Sequence, residues 1–250
     1  MIRAALVWLL LAVPAMAEGI VAGLSQNRVA ITANFDGSEI IVYGAVRREA
    51  PPPAGALDVI VTIEGPSGPV TVRRKERRWG IWVNAQAVRI AAAPSFYAIA
   101  TTAPLPDILS ETENLRHKIS IPRAIRAIGS AADAEDSPAF TEALIRLRRA
   151  DGAYLVQDGA VDFAEATLLR ADVRLPANLT EGRFRVRVFL VRGGDVVDHL
   201  ETAIDVEKQG LERWLHRLAF DRPFAYGILS LVIAVGAGWA ASAAFRAFRR

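Results

Sequence analysis

The sequence of 250 residues contains no cysteine. A chain without thiols forms no disulfides, binds no metal through thiolates and has no cysteine nucleophile. We therefore expect the folded part of this chain to be held together by its apolar core alone.

Histidine is scarce, and no catalytic pattern accompanies it. His117 follows Glu113 by four residues on a predicted helix, a spacing that suits a salt bridge as well as a pair of metal ligands. His199 and Glu201 share one face of a predicted strand, but a metal site needs three or four converging ligands. Because the Gly-x-Ser-x-Gly, His-Glu-x-x-His and phosphate-loop patterns are also missing, we predict no enzymatic activity, no metal site and no cofactor.

An enzyme whose residues converge only in three dimensions stays open as an alternative. It would require His117 and His199 to meet acidic neighbours in the folded chain, since function has to be argued from a site. His216 lies on a predicted amphipathic helix, where a position at a membrane interface is expected rather than a catalytic role.

Charged residues are absent from the stretch Phe224–Phe245. Roughly 22 residues of helix measure about 33 Å, enough to cross a hydrocarbon core of about 30 Å. Tyr226 and Trp239 stand towards the two ends of the stretch, where amphipathic rings prefer the headgroup region. We predict one transmembrane helix over residues 224–245, with Tyr226 and Trp239 at the membrane interfaces.

Basic residues flank both ends of this helix, so its orientation has to come from the N-terminus. Arg3, the apolar run Ala4–Val13 and the small residues Ala15-Met16-Ala17 form the three parts of a secretory signal peptide. We predict a signal peptide over residues 1–17 and a mature chain beginning at Glu18. In a bacterium, the bulk of the chain would then be periplasmic, anchored in the inner membrane, with residues 246–250 as a cytoplasmic tail.

Strand patterns fill residues 18–104. Asp36-Gly37-Ser38 is typical of a hairpin turn between Val29–Phe35 and Glu39–Val46. Leu57–Glu64 alternates between two faces. Short strands at close, regular spacing predict a mainly β, immunoglobulin-like sandwich. Because the cysteine–tryptophan–cysteine hallmark of true immunoglobulin domains is missing, the prediction concerns the general architecture alone.

Helix patterns replace the strand patterns over residues 105–150, which we predict to be a helical insert. Pro106–Ser120 and Pro122–Ile128 are predicted helices, divided by Pro122. Ser137-Pro138 begins another helix, with serine at the N-cap and proline in the first turn. The stripe expected to be buried on that helix consists of Phe140, Leu144 and Leu147.

A second β region covers residues 151–209. The alternation in Arg183–Val188 predicts arginines facing water and apolar side chains facing a core. The pattern leaves open whether this region completes the first sandwich or forms its own domain. Residues 210–222 are predicted to form an amphipathic helix along the membrane surface, with Trp214 at the interface.

Several segments resemble a known family. They are Gly80–Asn84, Pro94–Ala100 and Gly210–Leu218, followed by Pro223 and Tyr226-Gly227. They resemble the uncharacterised alphaproteobacterial putative transmembrane protein family Alph_Pro_TM over essentially the whole chain. The resemblance implies a signal peptide, a periplasmic part and a C-terminal span. It brings no catalytic residue or cofactor to any position here, and it suggests a sulfite-exporter-type multi-pass permease as partner.

A basic run precedes two tryptophans, Trp79 and Trp82. Clustered arginines suit oxyanions and phosphates because they form bidentate hydrogen bonds, so the run is a candidate anion-binding site or lipid-headgroup contact. The alternative is a solvated hairpin end with the tryptophans in the core or at its rim. The candidate anion-binding residues are Arg73, Arg74, Lys75, Arg77 and Arg78.

Small residues recur every four positions within the predicted span. Such ridges let a second helix approach closely, although an alanine-rich chain also scatters small residues by chance. The candidate helix-packing residues are Ser230, Ala234, Gly238 and Ser242, with a second ridge of Gly236, Ala240 and Ala244.

These features together predict a membrane-anchored periplasmic accessory protein that docks a multi-pass membrane partner, or a second copy of itself, through its helix. The alternative is a periplasmic anion- or solute-binding module tethered to the inner membrane. The formal charge of +3 is spread along the chain and gives no reason to expect nucleic acid as a partner.

Overall fold

The computed structural model describes residues 18–31, 37–48, 55–127, 137–208 and 218–248. The predicted signal peptide, residues 210–217 of the amphipathic helix including Trp214, and Asp36 of the predicted turn lie outside these residues. The chain divides into two compact units. We call Met1–Val29 with Asp36–Val206 the β unit, and Ala30–Phe35 with Glu207–Arg250 the anchor unit.

Twelve described strands form three sheets. The four-stranded sheet has the order β1-β3-β10-β9, the six-stranded sheet has the order β2-β12-β11-β4-β7-β8, and β5 pairs with β6 alone. All the pairings described in register are antiparallel except that of β7 with β8. The strands are β1 Glu18–Leu24, β2 Arg28–Ile31, β3 Ser38–Arg48, β4 Leu57–Glu64, β5 Ser67–Arg78, β6 Ile81–Pro94, β7 Tyr97–Thr101, β8 Tyr154–Gln157, β9 Val161–Ala164, β10 Leu168–Leu175, β11 Gly182–Arg192 and β12 Asp195–Lys208.

The two β regions of the sequence are interleaved. Strand β10 pairs with β3, and β11 pairs with β4, so each large sheet takes strands from both regions. The second region therefore completes the first, which answers the question that the pattern left open. A mainly β fold with several sheets is confirmed, while the immunoglobulin-like arrangement stays a prediction.

The hairpin predicted across Asp36-Gly37-Ser38 is wrong. Strand β3 pairs with β1 and β10, whereas β2 lies in the six-stranded sheet beside β12. A turn signal marks where a chain can reverse, but not the strand with which it pairs afterwards. Here β2 and β3 belong to different sheets.

Strand β4 is the centre of the core because it is buried on both faces. Val59, Val61 and Ile63 are fully buried on one face, as the alternation predicts, and Ile60 and Thr62 are equally buried on the other. Strands β4 and β7 contact β9 and β10 of the four-stranded sheet. Ile60 belongs instead to a cluster with the short helices and the base of the β5–β6 hairpin, so the six-stranded sheet is covered on both sides.

The helices of the insert are more broken than predicted. The described helices are α1 Leu105–Ile108, α2 Glu111–His117, α3 Ile121–Ala124 and α4 Ser137–Ala150. The predicted continuous helix over 106–120 is wrong, because Leu109 bridges to Gly194 and stops it. The chain then restarts at Ser110, whose side-chain oxygen accepts a hydrogen bond from the backbone nitrogen of Glu113 at 3.4 Å and caps α2.

Helix α4 confirms the prediction that Ser137-Pro138 begins a helix, to within one residue. Phe140 and Leu144 are buried, but Leu147 is 55% exposed, so the buried stripe is shorter than predicted. Ala143 and Ile145 pack beside the core instead. The last turn of α4 therefore extends past the apolar surface that its first turns cover.

The anchor unit contains α5, Pro223–Phe248, which overlaps the predicted span of residues 224–245. Its segment Pro223–Ser242 is long and apolar enough to cross a membrane, and its side chains are exposed among the residues that the structure describes. An exposed apolar helix fits a lipid environment better than water.

Candidate functional site

A cavity of about 990 Å³ opens in the β unit, and we call it the arginine cavity. It is enclosed by β11 and β12, by the turn that joins β4 to β5, and by the chain from the end of α2 to just past α3. Its basic lining residues are Lys118, Arg126, Arg183, Arg185 and Arg187. Its acidic lining residues are Glu64 and Glu201.

Five cations against two carboxylates make the lining electropositive. Arg185 Nη2 lies 2.8 Å from Glu64 Oε2, so these two charges offset one another. Among the described residues, no carboxylate lies within ion-pair distance of Lys118, Arg126 or Arg183. Exposed cations that converge on one concave surface raise the local concentration of anions.

Strand β11 supplies the arginines because alternate residues of a strand point to the same face. Arg183 and Arg185 are exposed and Phe184 and Val186 are buried, as the alternation predicts. Arg187 departs from the prediction, since it is only 9% exposed. The end of α2 lies over this part of the strand, a tertiary contact that alternation alone does not reveal.

Arg187 is held by main-chain oxygens at the end of α2. Its Nη1 donates to the carbonyl oxygen of His117 at 2.6 Å, and its Nη2 donates to Tyr97 Oη at 3.1 Å. Within the described chain, the buried Nε has no hydrogen-bond partner. A buried donor left without a partner is costly, so the position of Arg187 has to be maintained by its other contacts.

Lys118 closes α2 in the left-handed conformation, with φ of 51°. This turns the last carbonyl groups of the helix towards Arg187. The positive guanidinium group of Arg187 complements the partial negative charge at the C-terminal end of the helix. The Tyr97 hydroxyl donates to the carbonyl oxygen of Ile119 at 2.8 Å. Burial raises the pKa of Tyr97 to about 12, so this hydroxyl keeps its proton at neutral pH.

Two histidines meet beside the cavity, at its α2 side. The ring centroids of His117 and His199 lie 5.4 Å apart, and Phe189 packs against both rings. His117 Nε2 lies 3.2 Å from Glu113 Oε2, within ion-pair distance although the geometry is not that of a hydrogen bond. Burial lowers the pKa of His117, and the Glu113 carboxylate opposes that shift.

The predicted strand geometry around His199 is confirmed. His199 pairs with Phe189, and Glu201 pairs with Arg187, so both lie on one face of β12. Asp198 faces the other way and accepts a hydrogen bond from the backbone nitrogen of Ile20 at 2.8 Å. Across the described ranges, no group of three or more histidine or acidic side chains is placed to hold a metal ion.

The predicted anion-binding run lies on β5, away from the arginine cavity. Arg73, Lys75, Arg77 and Arg78 are exposed along the distal half of the β5–β6 hairpin. Arg74 Cζ lies 4.9 Å from the Phe140 ring centroid, and Arg74 Nη1 donates to Gln86 Oε1 at 2.7 Å. The run therefore stays a prediction as a site of its own.

The two tryptophans beyond this run are neither in the core nor at its rim. Trp79 is 103% exposed at the hairpin turn, and Trp82 is 68% exposed on β6. The alternative interpretation is therefore wrong about the tryptophans, although the basic run does lie at an exposed hairpin end, as that interpretation expects.

The predicted helix-packing and interface residues lie on α5. Ser230, Ala234, Gly238 and Ser242 are exposed, and Ser230 Oγ donates to the carbonyl oxygen of Tyr226 at 2.9 Å. Tyr226 is 40% exposed and Trp239 is 71% exposed. Their roles towards lipid or another helix stay predictions.

The amino-acid sequence does not reveal the arginine cavity. Its one visible signal is the alternation of three arginines on β11, a pattern equally typical of an ordinary strand with one face in water. Lys118 and Arg126 lie some 60 residues earlier in the chain, and only the tertiary fold brings them to the same surface.

The described fold and the apolar helix α5 define the class of this protein. It is a mainly β chain with one C-terminal helix that is long and apolar enough to span a membrane. Residues 19–247 match the family described as putative transmembrane protein (Alph_Pro_TM), and the chain belongs to that family. The predicted resemblance is confirmed. No curated protein matches the chain.

Among solved structures, the chain is similar to Spo0M, a sporulation control protein from Bacillus subtilis, with 10% identity and a TM-score of 0.26. The match covers 77% of this chain and 50% of that one. A likeness this weak supports no argument about fold or function.

Proposed function

We propose that this protein is a membrane-anchored, non-enzymatic module that binds an anionic solute in the arginine cavity. The observation that carries the proposal is the convergence of five cations and two carboxylates on one cavity of about 990 Å³. Pockets for small ligands measure about 300–1,000 Å³. The proposal moves the predicted anion-binding function from the basic run on β5 to this cavity.

The charges of the cavity favour binding over chemistry. Arg187 is held by the carbonyl oxygen of His117 and the Tyr97 hydroxyl, so it contributes positive charge to the lining from a fixed position. Lys118, Arg126 and Arg183 provide exposed cations around it. Guanidinium groups bind carboxylate, sulfate and phosphate oxygens in a bidentate manner.

The test uses the full-length protein in detergent, at constant ionic strength set with chloride. Titration calorimetry with phosphate, sulfate, sulfite and citrate measures whether an anion binds. The double variant Arg126→Gln with Arg183→Gln removes two exposed cations and should weaken binding about 100-fold, at roughly tenfold for each lost charge-assisted contact.

A matched control keeps the change in net charge constant. Arg89→Gln with Arg174→Gln removes two exposed arginines that do not line the cavity. This control should bind within about twofold of the wild type if the site is local. The absence of binding for all four anions, or equal losses in both double variants, would refute the proposal.

A second candidate function is that of an accessory subunit that docks to a multi-pass membrane partner through α5. The family resemblance suggests a sulfite-exporter-type permease as this partner. In support of it, no heavy atom of the described residues lies within 4 Å of a Cβ added at Gly238 or Gly236, so the described chain leaves room on both sides of α5. Small residues on an unfilled helix face allow close packing of another helix.

The two glycines provide a matched test of this second candidate. Gly238→Leu fills the first predicted ridge, while Gly236→Leu fills the second ridge on roughly the opposite side of the helix, since each residue turns it by about 100°. Affinity purification from native membranes should lose its membrane-protein partner with Gly238→Leu, whereas loss with Gly236→Leu alone would assign docking to the second ridge. Retention of every partner with Gly238→Leu contradicts docking through the first ridge.

We propose that the β unit lies in the periplasm. The signal-like N-terminus of the sequence supports this location. The chain has no cysteine, so a single Asp162→Cys variant gives one reactive thiol on exposed β9. A maleimide that passes the outer but not the inner membrane should label it in intact cells. Labelling only after cell lysis would place the β unit on the cytoplasmic side.

The non-enzymatic part of the proposal has one competing observation. His117, His199 and Glu113 do come together, which partly meets the condition set for an enzyme. The proposed anion binding depends on the cations of the cavity alone, so these three side chains have no role in it.

A further inference from the structure

We propose that the tip of the β5–β6 hairpin inserts into the interface of an anionic lipid bilayer. The tip comprises Lys75–Asn84. This function is independent of the arginine cavity and of docking through α5, and it assigns a ligand, the surface of a membrane, to the basic run and its two tryptophans.

The hairpin extends well beyond the core that holds its base. Val72 and Val88 are the last buried pair on the two strands, and the turn lies at Trp79-Gly80. Seven to eight further residues at about 3.3 Å each carry the tip roughly 25 Å outwards. Beyond Arg74, which packs on Phe140, the described fold covers neither strand.

The turn presents apolar side chains where the fold does not need them. Trp79, Ile81 and Trp82 are 103%, 65% and 68% exposed. Trp79 and Gly80 have φ of 52° and 85°, the two positive values that a type I′ hairpin turn requires. A bulky side chain is unfavourable at the first of these positions, where asparagine or glycine is preferred. Trp79 therefore destabilises the turn locally, and its exposed side chain adds no packing that would offset this strain.

Basic side chains stand immediately behind the apolar end. Arg78 pairs with Ile81 and Arg77 pairs with Trp82, so each face of the hairpin carries a cation beside an apolar group. Glu76 is the only carboxylate from Arg73 to Ala93. An apolar end backed by cations on both faces fits end-on insertion, with rings at the headgroup level and arginines on the phosphates.

A membrane is favoured over a protein partner by charge and by context. The chain belongs to a transmembrane family and carries a candidate span, so a bilayer surface is available to it. Tryptophan and arginine together are typical of interfacial segments. Anionic lipid provides the complementary charge without any specific shape.

The test measures lipid contact at the tip of the full-length protein. Ile81→Cys introduces a single thiol in a chain without cysteine, and Ala91→Cys does the same at an exposed position near the base of β6. Each is labelled with an environment-sensitive fluorophore and reconstituted into vesicles of equimolar phosphatidylcholine and phosphatidylglycerol. Quenching by a lipid-borne quencher is compared with quenching by aqueous iodide.

The expected result is strong lipid quenching and weak iodide quenching at position 81, with the reverse at position 91. Arg77→Gln with Arg78→Gln should lower the equilibrium constant for insertion about 25-fold, at about fivefold for each basic side chain near an anionic surface. Trp79→Asn should also weaken lipid quenching, although asparagine suits the turn and keeps the hairpin intact.

Two outcomes would overturn the proposal. Equal lipid quenching at both positions, with iodide reaching the tip freely, would show that the tip stays in water. Protection of position 81 from both quenchers, together with disulfide-linked dimers when the unlabelled Ile81→Cys variant is oxidised, would make a second copy of the chain the occupant of the tip.

Discussion

The pairing of Glu18 with two arginines is expected to be a main support of the β unit. Glu18 Oε1 lies 3.0 Å from Arg48 Nε, and Glu18 Oε2 lies 2.5 Å from Arg192 Nη1. The three side chains are 6%, 18% and 13% exposed, in that order. Since Glu18 and Arg48 belong to the four-stranded sheet and Arg192 to the six-stranded sheet, the carboxylate ties the two sheets together.

Replacing Glu18 by glutamine removes the charge and leaves two cations facing each other. Breaking a buried ion pair costs about 3–5 kcal/mol. Glutamine keeps one acceptor oxygen and the arginines are partly exposed, so we expect a loss of about 3 kcal/mol, at the lower limit of that range. For a unit of this size, that lowers Tm by about 6–12 °C.

The assay is thermal unfolding of the full-length protein in detergent at pH 7, followed by far-ultraviolet circular dichroism. Glu181→Gln is the matched control, because the same chemical change falls on an exposed side chain. Its Tm should stay within about 2 °C of the wild type, as surface changes usually do. A Glu18→Gln shift no larger than that of Glu181→Gln would refute the reasoning.

The ion pairs of Glu18 with Arg48 and Arg192 also predict that the stability of the β unit depends on pH. The hydrogen bond from Arg192 lowers the pKa of Glu18 below its ordinary value of 4.5, and burial opposes the shift. A lowered folded pKa means that the stabilisation is complete above about pH 4.5 and is lost as pH falls through the folded value. The difference in Tm between wild type and Glu18→Gln should therefore shrink in acid.

Three further predictions concern packing and hydrogen bonding in the β unit. A Cβ at Gly44 would lie 2.6 Å from a carbonyl oxygen of β1, whereas Gly68 has nothing within 4 Å, so Gly44→Ala should lower the free energy of unfolding by about 1–3 kcal/mol and Gly68→Ala should not. Phe140→Ala should cost about 3–5 kcal/mol because the ring is 3% exposed, while Leu147→Ala should stay within about 0.5 kcal/mol at 55% exposure. Tyr97→Phe should cost about 1–2 kcal/mol, since its buried hydroxyl donates to a main-chain oxygen at 2.8 Å and accepts from a buried guanidinium. Denaturant unfolding of each variant beside its wild type checks all three, and equal costs within either matched pair would contradict the packing seen here.

Strand and helix types could be predicted where one local pattern dominates. Leu57–Glu64 alternates and forms β4, and Phe224–Phe245 lacks charge and lies within α5. The helix beginning at Ser137-Pro138 follows from capping chemistry in the same local way. Such features depend on residues only a few positions apart, so they are visible in the chain itself.

Pairing and burial could not be predicted in the same way. The turn at Asp36-Gly37-Ser38 suggested a hairpin, yet the neighbours of β3 are β1 and β10. Arg187 belongs to an alternating pattern that elsewhere faces water, and it is buried because the end of α2 covers it. Each of these outcomes depends on a segment far away in sequence.

The sequence by itself determined the candidate membrane span, the family and the mainly β composition, because hydropathy over some 20 residues and local alternation are properties of contiguous chain. Only the tertiary structure decided that the two β regions share their sheets, that Lys118 and Arg126 meet the arginines of β11, and that Trp79 stands exposed at the end of a long hairpin. The physical reason is the same in each case. Burial of both faces of β4 selects which distant strands and helices cover it, and the charged and aromatic groups on those elements take their positions from that choice.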